Sequence, residues 1–110
     1  MPGEKVIIRE RKTFQNYVNS NKFVIVKVSA TWCGPCKRSS PCVESCWKKM
    51  PENVNMVVLD ADDCSDACSY LKIKSIPTLI TYINGNPHNY LVSSGDKEII
   101  NFFEKYLRQI

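Results

Sequence analysis

Cys33 and Cys36, set in the string Thr31-Trp32-Cys33-Gly34-Pro35-Cys36-Lys37, are the residues whose type and spacing most directly imply chemistry. Two thiols two residues apart, at the end of an apolar strand run and the start of a helix, place the first sulfur beside unpaired backbone N–H groups and the positive end of the helix dipole. That setting favours the thiolate, the attacking species in disulfide exchange. The second thiol can reach back to resolve a mixed disulfide, so the spacing amounts to a two-electron redox mechanism. The competing reading is half of a zinc site. A four-cysteine site needs a second pair at suitable spacing, whereas Cys42/Cys46 and Cys64/Cys68 each have three intervening residues and fall on expected helices. No metal is expected.

A strand must deliver this pair and a helix must receive it. Phe23 to Val28, a β-branched run with Lys27 as its one discordant residue, reads as a strand buried on both faces. From Gly34 the spacing of Cys42, Val43, Cys46 and Trp47 predicts a helix as far as Met50-Pro51, kinked at Pro41. Before these, Val6-Ile7-Ile8 suits a first strand, and Thr13 is placed to cap a short helix bearing Phe14, Tyr17 and Val18, ended by Asn19-Ser20-Asn21. After them come a strand over Val54–Leu59, an acidic turn at Asp60–Asp63 and a short helix over Cys64–Leu71. Leu79–Ile83 and Tyr90–Val92 flank the hairpin signal Asn84-Gly85, and Asp96 is expected to cap a last helix whose apolar face is Ile99, Ile100, Phe103, Tyr106 and Leu107. This order predicts an α/β fold in one domain over 1–110: a parallel βαβ portion joined to an antiparallel hairpin in a mixed sheet, with helices on both faces. The reactive pair would sit at the carboxyl end of the second strand.

A chain of 110 residues with 44% hydrophobic content has room for one modest core. Neither a signal-peptide core nor a run of membrane-spanning length is found, so the expected location is cytoplasmic and no membrane association is expected. In such a reducing compartment six cysteines read as thiols, metal ligands or redox catalysts rather than structural staples. The net charge of +4 is spread among mixed charges, which reads as a solvated surface and not a nucleic-acid stripe.

Taken together, WCGPCK after a buried strand, Pro41 five residues past Cys36, Ile76-Pro77-Thr78, the Asn-Gly turn and a Lys-bearing terminal helix resemble the thioredoxin family over nearly the whole chain. The segment Asp60–Asp66 looks like that of animal members. The resemblance implies a four- or five-stranded mixed sheet flanked by four helices and a monomeric protein-disulfide reductase. It makes Cys33 the nucleophile and Cys36 the resolving thiol, with Trp32, Gly34, Pro35, Ile76 and a cis Pro77 at the substrate groove. It requires no bound cofactor. The implied partners are disulfide-containing client proteins and an NADPH-dependent thioredoxin reductase as electron donor.

Where the family usually has a buried Asp, this chain has Lys27, and where that Asp is sometimes paired, it has Val58. Lys27 thus has no evident partner. Two readings stand open: a stem packed in the core with its amine at the rim, or a charge that tunes the thiols. A charged Lys27 stabilises thiolates and so makes the disulfide more oxidising, which predicts a couple less reducing than the roughly −270 mV typical of the family. Alternatives to the reductase are therefore a thiol oxidant or disulfide isomerase, and a thioredoxin-fold binding module without turnover. Ser93 stands where a family glycine commonly borders the groove and is expected to add a side chain there. Cys42 and Cys46 read as core, Cys68 as half-buried and His88 as surface, while for Cys64, beside the acidic turn, the resemblance to animal members suggests an exposed regulatory thiol as a minority reading.

Overall fold

In the computed structural model, which describes residues 1–110, the elements run β1 (Lys5–Ile7), α1 (Arg11–Ser20), β2 (Phe23–Ser29), α2 (Gly34–Lys48) and β3 (Val54–Asp60). They continue with α3 (Ser65–Tyr70), β4 (Thr78–Ile83), β5 (Asn86–Val92) and α4 (Asp96–Gln109). The five strands form one mixed sheet of order β1-β3-β2-β4-β5. β2 lies at its centre, parallel to β3 and antiparallel to β4, which accounts for its continuous apolar run.

Strand side chains alternate between faces, so β2 feeds two separate cores. Val24, Val26 and Val28 pack with Phe14 and Val18 of α1, Ala67 of α3, and Ile80 and Tyr82 of β4. Phe23 and Ile25 pack on the other face with Val43 and Trp47 of α2 and Ile99, Phe102, Phe103 and Tyr106 of α4. Lys27 and Ser29 share the parity of Phe23 and Ile25. The alternation alone therefore sends Lys27 to the α2 side of the sheet.

Two local expectations change. The first helical bonds are Phe14 N–H to the Glu10 carbonyl and Ile99 N–H to the Gly95 carbonyl, both 3.0 Å. Glu10 and Gly95 are therefore the N-caps, while Thr13 and Asp96 lie inside their helices. The apolar spacing fixes which face of a helix is buried but says little about a first turn that faces solvent. In α4 the buried stripe is Ile99, Phe102, Phe103 and Tyr106, leaving Ile100 and Leu107 exposed, because the helix must cover the sheet and lean on α2 at once. α2 spans Gly34–Lys48 with Pro41 inside it.

The hairpin forms where the sequence placed it. Asn84 and Gly85 both have positive φ, 52° and 81°, as the two-residue turn requires. β5 begins directly after the turn and carries Pro87, tolerated because β5 is an edge strand. No helix is long and apolar enough to cross a membrane.

Candidate active site

β2 ends at Ser29, and a turn closed by Cys33 N–H to the Ala30 carbonyl (3.2 Å) brings the chain to α2. Cys33 is the N-cap of α2: its carbonyl accepts the Lys37 N–H at 3.1 Å, and its Sγ accepts the Cys36 N–H at 3.1 Å. Pro35 has no N–H to offer, so the Cys36 amide is the donor that turns to the sulfur. A sulfur at an N-cap receives both this hydrogen bond and the positive end of the helix dipole, and each favours the thiolate. Cys33 and Cys36 are joined in a disulfide with Cα atoms 5.3 Å apart. Both are buried, among Ala30, Ala61 and Ile76.

A groove of 570 Å³ opens beside the disulfide. It brings together Trp32, Cys33, Gly34 and Pro35 from the active loop with Ile73, Lys74, Ser75 and Ile76 from the loop before β4. Trp32 is 67% exposed, and its indole N–H donates to Asp62 Oδ2 at 2.8 Å, which fixes the ring at the rim. The sequence reading missed Asp62; its place in the acidic turn after a strand parallel to β2 was the available signal. The Ile76–Pro77 peptide is cis, and the Thr78 hydroxyl donates to the Ser75 carbonyl at 2.6 Å, tying down the bend that presents Ile76. Ser93 lies between β5 and α4. Its Oγ accepts the Gly95 N–H at 3.0 Å, just before α4 begins.

Lys27 lies outside this groove, in a separate hollow of 270 Å³ behind Cys36 that it lines with Ser29, Ala30, Lys37 and Ser40. It has partners after all: Nζ is 3.5 Å from Ser40 Oγ and 4.0 Å from Glu44 Oε1. Both come from α2, which crosses the face to which strand alternation sends Lys27. Lys5 of β1 also pairs with the same Glu44 oxygen and competes for it. Burial pushes the Lys27 amine below the ordinary lysine value, Glu44 partly opposes that, and Lys5 adds to it.

The remaining thiols are held as thiols. Burial, with Cys46 and Asp96 nearby, pushes Cys42 up to about 11. Burial likewise raises Cys46, Cys64 and Cys68. Cys64 is not an exposed regulatory thiol, for it is 1% exposed and its S–H donates to the Ile8 carbonyl at 3.0 Å. Cys68 is half-buried and lines the groove. His88 is exposed on β5.

A disulfide capping a helix N-terminus, walled by an apolar groove and carried on the central strand of this sheet, defines a thiol–disulfide oxidoreductase. The family model described as Thioredoxin matches residues 5–105. Thioredoxin 1 of Plasmodium falciparum is 34% identical over 100 residues, spanning 91% of this chain and 95% of that protein. A solved structure of Plasmodium falciparum thioredoxin superposes with a TM-score of 0.84 at 33% identity, covering 91% of this chain and 97% of that one. A bifunctional thioredoxin reductase/thioredoxin of Mycobacterium leprae is 30% identical over 95 residues, which are 86% of this chain and 21% of that protein. The chain belongs to the thioredoxin family, and its activity is protein-disulfide reduction.

Proposed function

We propose that Cys33 and Cys36 carry the reductase activity in distinct roles. The Cys33 thiolate attacks one sulfur of a client disulfide, forming a Cys33–client bond and releasing the other client sulfur as a thiolate that takes up a proton. Cys36 then gives up its proton and attacks the Cys33 sulfur, forming the Cys33–Cys36 disulfide and releasing the second client thiol. Two electrons pass from the dithiol to the client. The observation that carries this reading is the Cys33 sulfur at the α2 N-cap, hydrogen-bonded to the Cys36 amide and beside the groove. Trp32, Gly34, Pro35, Ile76 and Pro77 form the docking surface in this reading.

A dithiothreitol-reduced protein should reduce a disulfide-linked substrate stoichiometrically. Cys33→Ser should abolish this, and Cys36→Ser should accumulate a Cys33–client mixed disulfide visible on a non-reducing gel. Turnover by Cys33→Ser would sink the assignment, whereas absence of trapped clients in Cys36→Ser would favour a binding module.

The chain acts as a monomeric single domain over 1–110 in the cytoplasm, where its disulfide is returned to the dithiol by an NADPH-dependent thioredoxin reductase. The reductase fused to the Mycobacterium leprae relative supports that partnership. A more oxidising role, as thiol oxidant or disulfide isomerase, is favoured by Lys27, whose amine shares the hollow behind Cys36. A couple near −270 mV, measured against a glutathione or dithiothreitol series, supports the reductase alone. A value near the roughly −180 mV of a disulfide isomerase supports the second role.

A further inference from the structure

The groove has apolar walls, but its rim carries charge in an uneven way. The acidic residues of segment 60–66 are engaged within the chain. Asp60 Oδ1 accepts the Asp62 N–H at 2.9 Å, and Asp62 holds the Trp32 indole. Asp63 pairs with Arg9 at 3.7 Å and Asp66 with Arg11 at 3.8 Å. The cations are different: Arg38 and Lys74 are exposed and belong to none of the chain's ion pairs. Lys74 is part of the groove wall itself. Arg38 does not line the groove, but it folds back along α2 beside Gly34, which does: a Cβ on Gly34 would lie 3.3 Å from its Nη1. The glycine at position 34 leaves room for that guanidinium next to the active-site loop. Two unpaired cations thus stand beside the groove into which Cys33 opens.

We propose that this groove selects client proteins bearing carboxylates beside the disulfide to be reduced, with Arg38 and Lys74 as the receiving cations. The inference rests on the reductase reading and adds a substrate class to it. A guanidinium can grip a carboxylate through two parallel hydrogen bonds, and an ammonium serves as a point charge, so the two contribute orientation and attraction. Each pair forms at a partly exposed rim and falls in the range of exposed ion pairs, which for two contacts amounts to about a fivefold to tenfold preference at low salt. Asp62, fixed at the Trp32 side of the rim, repels a carboxylate there and so confines the preference to clients whose acids face the Gly34 and Lys74 side.

The test uses three otherwise identical peptides, each with one internal disulfide flanked by Glu, Gln or Lys. The quantity read is the single-turnover rate with pre-reduced protein at low and high sodium chloride. The expected result is the order Glu, Gln, Lys, with a Glu-to-Gln ratio of about five at low salt that shrinks at high salt. In the double variant Arg38→Gln/Lys74→Gln the ratio should fall to about one, while Arg38→Lys/Lys74→Arg should keep most of it. Because the ratio is taken within each variant, a general loss of activity does not mimic the effect. Equal rates for the Glu and Gln peptides at low salt, or a ratio unchanged in the Gln double variant, overturn the selection alone. Failure of the wild-type protein to reduce any of the three, the neutral peptide included, overturns the reductase reading and the selection with it.

Discussion

At the position of Lys27 a lysine faces α2 from the central strand, with its side chain only 15% exposed and a glutamate shared with Lys5. Its folded-state pKa is lowered below 10.5, chiefly by burial, so between the two values the unfolded chain binds more protons than the folded one. Stability therefore rises with pH through that window, and at neutral pH the charged amine is a cost to the fold. Lys27→Met should stabilise the protein by about 1 kcal/mol at pH 7, with the gain fading as pH approaches 10.5, read by urea denaturation at several pH values. Because the ammonium shares a hollow with Cys36, the same variant should make the Cys33–Cys36 couple more reducing by tens of millivolts. An unchanged potential would mean that Lys27 acts on stability only. A second residue-scale outcome concerns the other thiols. Iodoacetamide at pH 7.5 should alkylate Cys33 of the reduced protein first, with Cys42, Cys46, Cys64 and Cys68 far slower, because burial raises all four. Mass mapping that finds Cys64 modified as fast as Cys33 would contradict its burial against Ile8.

At the scale of elements, α4 is anchored to the sheet by more than its apolar stripe. The Tyr106 hydroxyl donates to the Tyr82 carbonyl at 2.6 Å, in a site from which water is excluded. Burial pushes the phenol far above its ordinary range, so it stays a donor at any working pH. Tyr106→Phe keeps the ring and its edge contact with Phe23 but leaves a buried carbonyl with one fewer donor. The expected cost is about 1–2 kcal/mol, seen as a fall in Tm of roughly 4–8 °C per kcal/mol for a domain of this size. Because the disulfide is carried by β2 and α2, its exchange rate with a small uncharged disulfide should remain near wild type. A variant that loses stability and exchange rate together would tie α4 to the active loop.

The whole molecule is a sheet with a core on each side. Ile80 lies in the core under α1 and α3, while Ile99 lies in the core between α2, α4 and the sheet. Ile80→Val and Ile99→Val should each cost about 1 kcal/mol. Separated by the sheet, they should add to within about 0.5 kcal/mol in the double variant. A larger coupling would show that the two faces respond as one body.

The chemistry was legible in the sequence because it is local. The spacing of Cys33 and Cys36, the strand before them and the helix after them are neighbours along the chain, and backbone geometry links neighbours directly. The same holds for the central position of β2, whose apolar run has no solvent-facing parity, and for the turn at Asn84-Gly85. The tertiary structure alone decided which side chains meet across elements. Glu44 beside Lys27, Asp62 on Trp32 and Cys64 against Ile8 all depend on how a helix or loop is seated on the sheet. That seating is set by the packing of both cores together, and no short stretch of sequence contains it.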